Sequence, residues 1–308
     1  MVGLFNDYDE ETLVRMILSC LDRVLKRRRI DKTYLNDVKV HKIVYMVAER
    51  LNLDITRSWY MRGCYVWCGN LINDFFKFSD FIDSPLNIIA SIIVDAVESV
   101  IKDLGVFELK RQDFLKKLYK EFAPSEFRDL YVAYYDFKIN YESFLNQLQP
   151  VERLFFVEID STLVSSSLSK LHMAITKTIE DHRIVDVFIE YTTLLETIAF
   201  GVEEKALDNE ITKEMIKFCK EAYEFYDNEV WKLPAIEIAK RTMKGKNRNE
   251  ILQKLLNNFN ITLNNVKDLK IYEKRIDELG LNPSEEFLLE RIDPSPPAKA
   301  YLKALRDL

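Results

Sequence analysis

Apolar side chains recur at intervals of three and four residues along most of the chain. In the segment 9–28, for example, Leu13, Ile17 and Leu21 follow one another at four-residue steps. This spacing places them on one face of an α-helix, with the charged residues on the opposite face. The same spacing predicts further helices over 31–51, 84–105, 125–149, 159–179, 185–201, 210–231 and 234–243.

Residue preferences at helix ends predict several boundaries. We expect Asp31 to cap the second helix, Ser84-Pro85 to begin another, and Gly105 to end it,. The polar segment 244–249, KGKNRN, predicts a flexible linker, and the run DPSPP at 293–297 predicts an extended spacer,. These boundaries indicate two or three helical subdomains: an N-terminal, winged-helix-like unit at 1–122, a central helical bundle at 123–243 and a small C-terminal helical module at 244–308.

Composition supports a mainly α, multi-helical fold. Only seven of the 308 residues are glycine, about a third of the ordinary frequency of ~7%. Folds rich in β-turns or in phosphate-binding loops need more glycine, because many of their positions have a positive φ. Short connections between helices need the least.

Charge and hydropathy bear on partners and on cellular location. The formal net charge of −6 argues against a protein whose whole surface binds nucleic acid, and leaves room for local basic patches,. The most apolar stretch, 86–101, contains Asp95 and Glu98 and is too short to span a bilayer,. Four cysteines are too few for a disulfide framework,. Because the first residues also do not resemble a signal peptide, we expect a cytoplasmic protein without a membrane partner.

One segment departs from the helical pattern. Residues 56–69, TRSWYMRGCYVWCG, are rich in aromatic residues and carry two glycines. Their alternation predicts a small β-hairpin between helices. A surface role and a packing role are both open, because large aromatic side chains fill cores and domain junctions as well as binding sites. For the surface role, the predicted partner-binding residues are Trp59, Tyr60, Arg62, Tyr65 and Trp67.

The region around this hairpin resembles a known family. The stretch 41–67, HKIVYMVAERLNLDITRSWYMRGCYVW, is similar to the signature of Panacea-type antitoxins and related winged-helix-like proteins. Those proteins carry a K-[IL]-[VL]-Y helix core, matched here by 42–45, and then an aromatic segment ending in a Y-G-P-Y-type turn. Residues 62–66 lie where that turn would be, with Cys64 in place of the proline. The resemblance covers about residues 40–75 and implies a regulatory or partner-binding module without catalysis of its own.

Candidate chemistry is sparse elsewhere. Cys64 and Cys68 form a C-x₃-C pair that His41 and Cys20 could complete as zinc ligands, but nothing in the spacing requires this,. We therefore predict no cofactor and no metal. The chain has only three histidines, and none has an arginine four to six residues before it, the arrangement of helical ribonucleases of the HEPN type. The motifs HExxH, GxGxxG, GxxxxGK[ST] and GxSxG are also absent from the sequence,.

Two basic clusters suggest contact with nucleic acid. The first cluster consists of Lys26, Arg27, Arg28 and Arg29, and the second cluster consists of Lys240, Arg241, Lys244, Lys246 and Arg248. Such cations contact phosphates. Stabilisation of the helix dipole explains part of the first cluster, and a solvated, flexible linker explains the second cluster equally well.

Taken together, the sequence predicts a non-enzymatic binding or regulatory factor. It would act on RNA, DNA or a ribonucleoprotein, or on a protein partner, and would self-associate as a homodimer through the central bundle. The alternative is an enzyme of nucleic-acid metabolism or defence whose carboxylates are brought together by folding, since 50 residues are acidic.

If the second cluster binds nucleic acid, the affinity will fall steeply with rising salt concentration. We expect charge reversal at Lys244, Lys246 and Arg248 to abolish binding in a titration monitored by fluorescence anisotropy. Binding that survives the reversal unchanged would exclude this cluster as the contact surface.

Overall fold

The computed structural model describes residues 5, 7–77, 88–148, 159–266 and 269–291. In this part of the chain the protein is mainly α-helical and contains one small antiparallel sheet of two strands. The predicted fold class is thereby confirmed. Among these residues, no helix combines the length and the apolar character that crossing a membrane requires.

The chain folds into two compact units. The first contains residues 1–131 and 235–260, and the second contains 132–234 and 261–308. Residues 244–260, assigned from the sequence to a C-terminal module, therefore belong to the first unit. Whether the predicted segments 1–122, 123–243 and 244–308 fold independently remains a prediction.

Helices α1, α2 and α4 form the centre of the first unit. Their apolar faces contribute Leu18, Leu21, Val44 and Val97, all with no exposed surface. The helices and strands of this unit are α1 (Glu10–Arg28), α2 (Asp37–Leu51), β1 (Arg57–Tyr60), β2 (Gly63–Val66), α3 (Gly69–Lys77), α4 (Ile88–Leu104) and α5 (Arg111–Phe122). Three further helices, α6 (Arg128–Gln147), α10 (Lys232–Thr242) and α11 (Arg248–Val266), contribute residues to both units.

The start of α2 differs from the prediction. Asp31 caps a short 3₁₀ turn, Lys32–Tyr34, by accepting a hydrogen bond from the Thr33 amide at 2.8 Å. Asn36 caps α2 by accepting from the Lys39 amide at 2.9 Å. Asp and Asn are both good capping residues, so the sequence alone did not distinguish the two starts.

Gly105 follows α4 with a φ of +63°, as the sequence predicted for a residue that ends a helix,. The predicted helix start at Ser84-Pro85 and the predicted spacer at 293–297 lie outside the described residues.

Aromatic stacking dominates the core of the second unit. The Tyr134 and Trp231 rings stack with centroids 3.8 Å apart, and those of Tyr141 and Tyr223 with centroids 4.8 Å apart. Between α9 and α10 the chain forms one π-helical turn, Tyr226–Val230. The helices that complete this unit are α7 (Thr162–Thr178), α8 (His182–Leu207), α9 (Lys213–Phe225), α12 (Lys270–Leu279) and α13 (Glu285–Arg291).

Gly201 does not end its helix, in contrast to the prediction, because α8 continues through it to Leu207. A Cβ atom at this position would overlap the backbone carbonyl of Leu281, which follows α12. Gly201 is therefore needed for the close approach of two backbones and not for a turn.

The substitution Gly201→Ala tests this explanation through the sign of the change in the free energy of unfolding. Alanine in place of a helix-interior glycine ordinarily stabilises a helix by about 1 kcal/mol. Here the overlap with Leu281 should reverse that effect and lower the free energy of unfolding by about 2 kcal/mol in a urea titration.

Gly280→Ala is the control, because Gly280 has a φ of +61° but no neighbour closer than 3.8 Å to an added Cβ. Backbone strain alone should then cost about 1 kcal/mol. A stabilised Gly201→Ala protein would contradict the proposed contact.

Candidate binding site at the hairpin

The hairpin has one buried and one accessible face. Trp59 lies opposite Cys64, and Ser58 lies opposite Tyr65, in an antiparallel register. Since successive side chains of a strand point to opposite faces, Trp59, Cys64 and Val66 share the buried face. Tyr65 lies on the other face and is only partly buried.

Trp59 belongs to the core of the first unit. Its side chain is 2% exposed, and its ring lies 6.4 Å from that of Tyr45, 6.5 Å from Tyr119 and 5.2 Å from Tyr131, between centroids. Of the five predicted partner-binding residues, Trp59 is therefore not available at the surface, because packing with these aromatic rings encloses it.

The other three aromatic residues of the prediction form a partly exposed cluster, which we call the outer triad: Tyr60, Tyr65 and Trp67. Its centroids are separated by 5.2 Å (Tyr60–Trp67), 5.1 Å (Tyr65–Trp67) and 6.3 Å (Tyr60–Tyr65). Trp67 Nε1 donates a hydrogen bond to Ser58 Oγ at 3.0 Å, which orients the indole. Arg62, the fifth predicted residue, is exposed at the hairpin turn.

A pocket of about 330 Å³ opens beside the outer triad. Its walls come from the first two turns of α2, the hairpin turn and the start of α3. The lining residues are Asp37, Val38, His41, Lys42, Tyr60, Met61, Arg62, Tyr65, Gly69 and Asn73.

Lys42 lines this pocket with an almost fully buried side chain, 2% exposed. Its ammonium donates a hydrogen bond to the Cys64 carbonyl at 2.7 Å. No carboxylate of the described chain lies within ion-pair distance of it. Burial lowers the pKa of Lys42 to about 8, because the charged form is poorly solvated there,.

His41 stacks on Tyr65 with ring centroids 4.2 Å apart. Burial, together with the charge of Lys42, lowers the pKa of His41 to about 4, so the ring is neutral at physiological pH. A neutral imidazole has one donor and one acceptor nitrogen. The Nδ1 atom of His41 is buried and has no hydrogen-bond partner among the described residues.

The segment 244–249 is not a flexible linker, in contrast to the prediction. The Lys244 amide donates to the Arg57 carbonyl at 2.9 Å, and the Arg57 amide donates to the Lys244 carbonyl at 3.0 Å. Gly245 has a φ of +101° and lies so close to Thr56 that a Cβ atom would overlap its backbone. Lys244 thus forms an isolated antiparallel bridge with Arg57 of β1, and the second cluster lies beside the hairpin.

A buried carboxylate fastens this segment. Glu10 Oε2 accepts hydrogen bonds from Asn247 Nδ2 at 2.7 Å and from Thr56 Oγ1 at 2.9 Å. Glu10 Oε1 accepts from the Thr56 amide at 2.8 Å and from Cys68 Sγ at 3.0 Å. One side chain, 7% exposed, therefore connects α1 to both ends of the hairpin and to the returning chain.

Three cations of the second cluster have carboxylate partners. Lys240 and Arg241 contact Glu237 at 2.5 Å and 3.3 Å, and Lys244 contacts Glu49 at 3.0 Å. The other two cations, Lys246 and Arg248, are exposed and make no ion pair with the described chain. The charge available to a ligand is thus smaller than the sequence suggests.

The first cluster lies at the other end of α1. Because α1 has 19 residues, its two ends are roughly 27 Å apart. Lys26 pairs with the buried Asp22 at 3.1 Å, and Arg27, Arg28 and Arg29 are exposed. The structure therefore brings the second cluster to the hairpin and does not bring the first cluster there.

The two cysteines of the C-x₃-C pair have separate environments. Cys64 is buried on the inner face of the hairpin, where burial raises its thiol pKa to about 12, and Cys68 donates to Glu10. Among the described residues no three His, Cys, Asp or Glu side chains are grouped so as to hold a metal ion.

Sequence reasoning missed Glu10, Asp37 and the role of Lys42. A weak signal for Lys42 existed, because it lies four residues after Val38 and three before Tyr45, on the side of α2 that carries apolar residues,. Glu10 had no local signal, since its partners lie up to 237 positions away.

Replacement of Glu10 measures how much this network contributes. In Glu10→Ala, the Thr56, Asn247 and Cys68 donors lose their acceptor, and we expect the free energy of unfolding to fall by about 3 kcal/mol in a urea titration.

The neighbouring Glu11→Ala is the matched control. Glu11 is exposed and pairs with Arg15 within α1, so its removal should cost less than about 0.5 kcal/mol. Equal effects of the two substitutions would contradict the network.

A family model described as a domain of unknown function, DUF8098, matches residues 1–85 and 76–293. No curated protein and no solved structure matches the chain. Since the matched segments cover most of its length, the chain belongs to the DUF8098 family.

Proposed function

We propose that this protein is a non-enzymatic binding factor that holds single-stranded nucleic acid on the accessible face of its hairpin. The observation that carries the proposal is the outer triad, three aromatic rings within 6.3 Å of one another that remain partly exposed. Proteins that bind single strands stack successive bases on such rings, at about 1–3 kcal/mol per base.

The cations beside the hairpin favour a strand that runs along it. Arg62 lies at the turn, and Lys246 and Arg248 follow the residue that pairs with the start of β1. Since β1 has four residues, the hairpin turn and the start of β1 are about 10 Å apart along the strand. Phosphates on either side of the stacked bases would therefore meet a cation at each end of the outer triad.

The resemblance of residues 40–75 to Panacea-type proteins is in line with a binding role for this region. The fold class also supports a binding role, because an α-helical framework that presents one hairpin offers a defined surface for recognition.

A protein partner is the second candidate occupant of the same face. The pairing of Lys240, Arg241 and Lys244 with glutamates favours it, because this pairing leaves few cations for phosphates. Tyrosine, tryptophan and arginine, the residues of this face, are also those that dominate the energetics of protein interfaces.

Base stacking and phosphate contacts contribute separately to nucleic-acid binding, and a salt titration distinguishes them. We expect Trp67→Ala to weaken binding of a fluorescent single-stranded RNA oligonucleotide about tenfold or more, with the salt dependence unchanged, because stacking releases no counterions. We expect Lys246→Glu combined with Arg248→Glu to weaken binding and also to reduce its salt dependence.

Two variants serve as controls. Trp67→Phe keeps an aromatic face and should restore most of the affinity. Tyr34→Ala removes an aromatic residue that is 71% exposed in the same unit and belongs neither to the hairpin nor to the pocket lining, and it should bind as the unaltered protein does. If Trp67→Ala and Tyr34→Ala bind RNA equally well, the hairpin face is not the nucleic-acid site. Absence of any binding would favour a protein partner.

A further inference from the structure

The pocket beside the outer triad contains the ammonium of Lys42, and no carboxylate of the described residues lies within ion-pair distance of it. Lys42 is 2% exposed, and its hydrogen-bond acceptor is a neutral carbonyl, that of Cys64. A buried ammonium is costly unless it is paired with an opposite charge. Nothing in the described chain supplies that charge within ion-pair distance, so an anionic group entering the pocket would offset the cost.

Two further features of the same pocket favour an anion. Arg62 lines it from the hairpin turn, and Gly69, the first residue of α3, also lines it. The start of a helix carries a partial positive charge and amide donors.

The remaining walls suit a planar group that carries N–H donors. The rings of Tyr60 and Tyr65 line the pocket, as does His41, whose buried Nδ1 has no hydrogen-bond partner in the described part of the chain. The Asp37 carboxylate is an acceptor in the lining. A volume of about 330 Å³ lies at the lower end of the ~300–1,000 Å³ of ligand sites, which is suitable for one small ligand.

These features define one ligand chemistry: a planar ring with N–H groups, joined to a phosphate. We infer that the pocket binds a single nucleotide unit, with the base against Tyr60 and Tyr65, an N–H of the base donating to His41, and the phosphate near Lys42 and Arg62. This inference rests on the proposed function, since the unit would be either a free nucleoside monophosphate or the terminal nucleotide of a bound strand.

Calorimetric titration with the four ribonucleoside 5′-monophosphates tests the pocket directly. We expect at least one of them to bind to the unaltered protein. We expect Asn73→Trp, which fills the pocket from an exposed position of α3, to weaken that binding about ten- to hundredfold. Asn70→Trp is the matched control, because Asn70 is exposed on the same helix but does not line the pocket.

Lys42→Met distinguishes a ligand-binding role from a structural one. If Lys42 binds an anion, its replacement should remove nucleotide binding. The thermal midpoint should stay the same or rise, because a buried charge without an ion-pair partner is lost. Lys39→Met is the control on the same helix, since Lys39 is outside the lining and donates to the Val106 carbonyl. Should Lys42→Met fail to fold, Asn73→Trp decides the question.

The outcomes separate the two proposals. If no monophosphate binds, or if Asn73→Trp and Asn70→Trp bind it equally, the pocket is not a nucleotide site. In that case, RNA binding that still depends on Trp67 would leave the proposed function intact. If a monophosphate binds but single-stranded RNA does not, the pocket assignment holds and the proposed function is wrong. Inorganic phosphate binding as tightly as the nucleotides would overturn the role of the base.

The two possible sources of the nucleotide are distinguished with RNA itself. If the pocket receives a strand terminus, oligonucleotides with a 5′-phosphate should bind more tightly than those without it, and Asn73→Trp should remove the difference. If it receives free nucleotides, a monophosphate should bind equally well in the presence and absence of RNA.

Discussion

The Glu10 carboxylate is the interaction on which the arrangement of the first unit depends. It accepts hydrogen bonds from Thr56, Cys68 and Asn247 and so connects parts of the chain separated by as many as 237 positions. A carboxylate can satisfy several donors at once, and its bonds are stronger than those of a neutral acceptor. The Lys244–Arg57 backbone pair and the close approach of Gly245 to Thr56 both lie beside this contact.

Much of the fold was predictable because helices are encoded locally. The three- and four-residue spacing predicted α1, and Gly105 at the end of α4 was predicted from its conformational preference. The predictions that were wrong depended on distant partners. Gly201 resembles a helix end in the sequence, but it is a glycine because the Leu281 backbone lies against it. In the same way, the sequence of 244–249 is typical of a linker, but its backbone pairs with Arg57 of β1.

The candidate site was predictable in its location but not in its composition. The aromatic residues of 56–69 identified the hairpin, and alternation along its strands accounts for the division between Trp59 in the core and Tyr65 at the surface. The pocket could not be derived in this way, since Asp37, Arg62 and Asn73 belong to three different elements and meet only after folding. The burial of Lys42 is likewise a property of the folded chain. A buried ammonium with no ion-pair partner among the described residues lowers stability, and for that reason it points to a function rather than to the fold.

The first unit is discontinuous in sequence, which affects the order of its assembly on the ribosome. Residues 1–131 emerge first, but the segment 235–260 that completes the unit follows more than a hundred residues later. During that interval the outer edge of β1 lacks the backbone partner that Lys244 later provides. An open strand edge can pair with other chains. The nascent protein therefore passes through a stage in which the hairpin is exposed to misassociation, and that stage ends when the returning segment is synthesised.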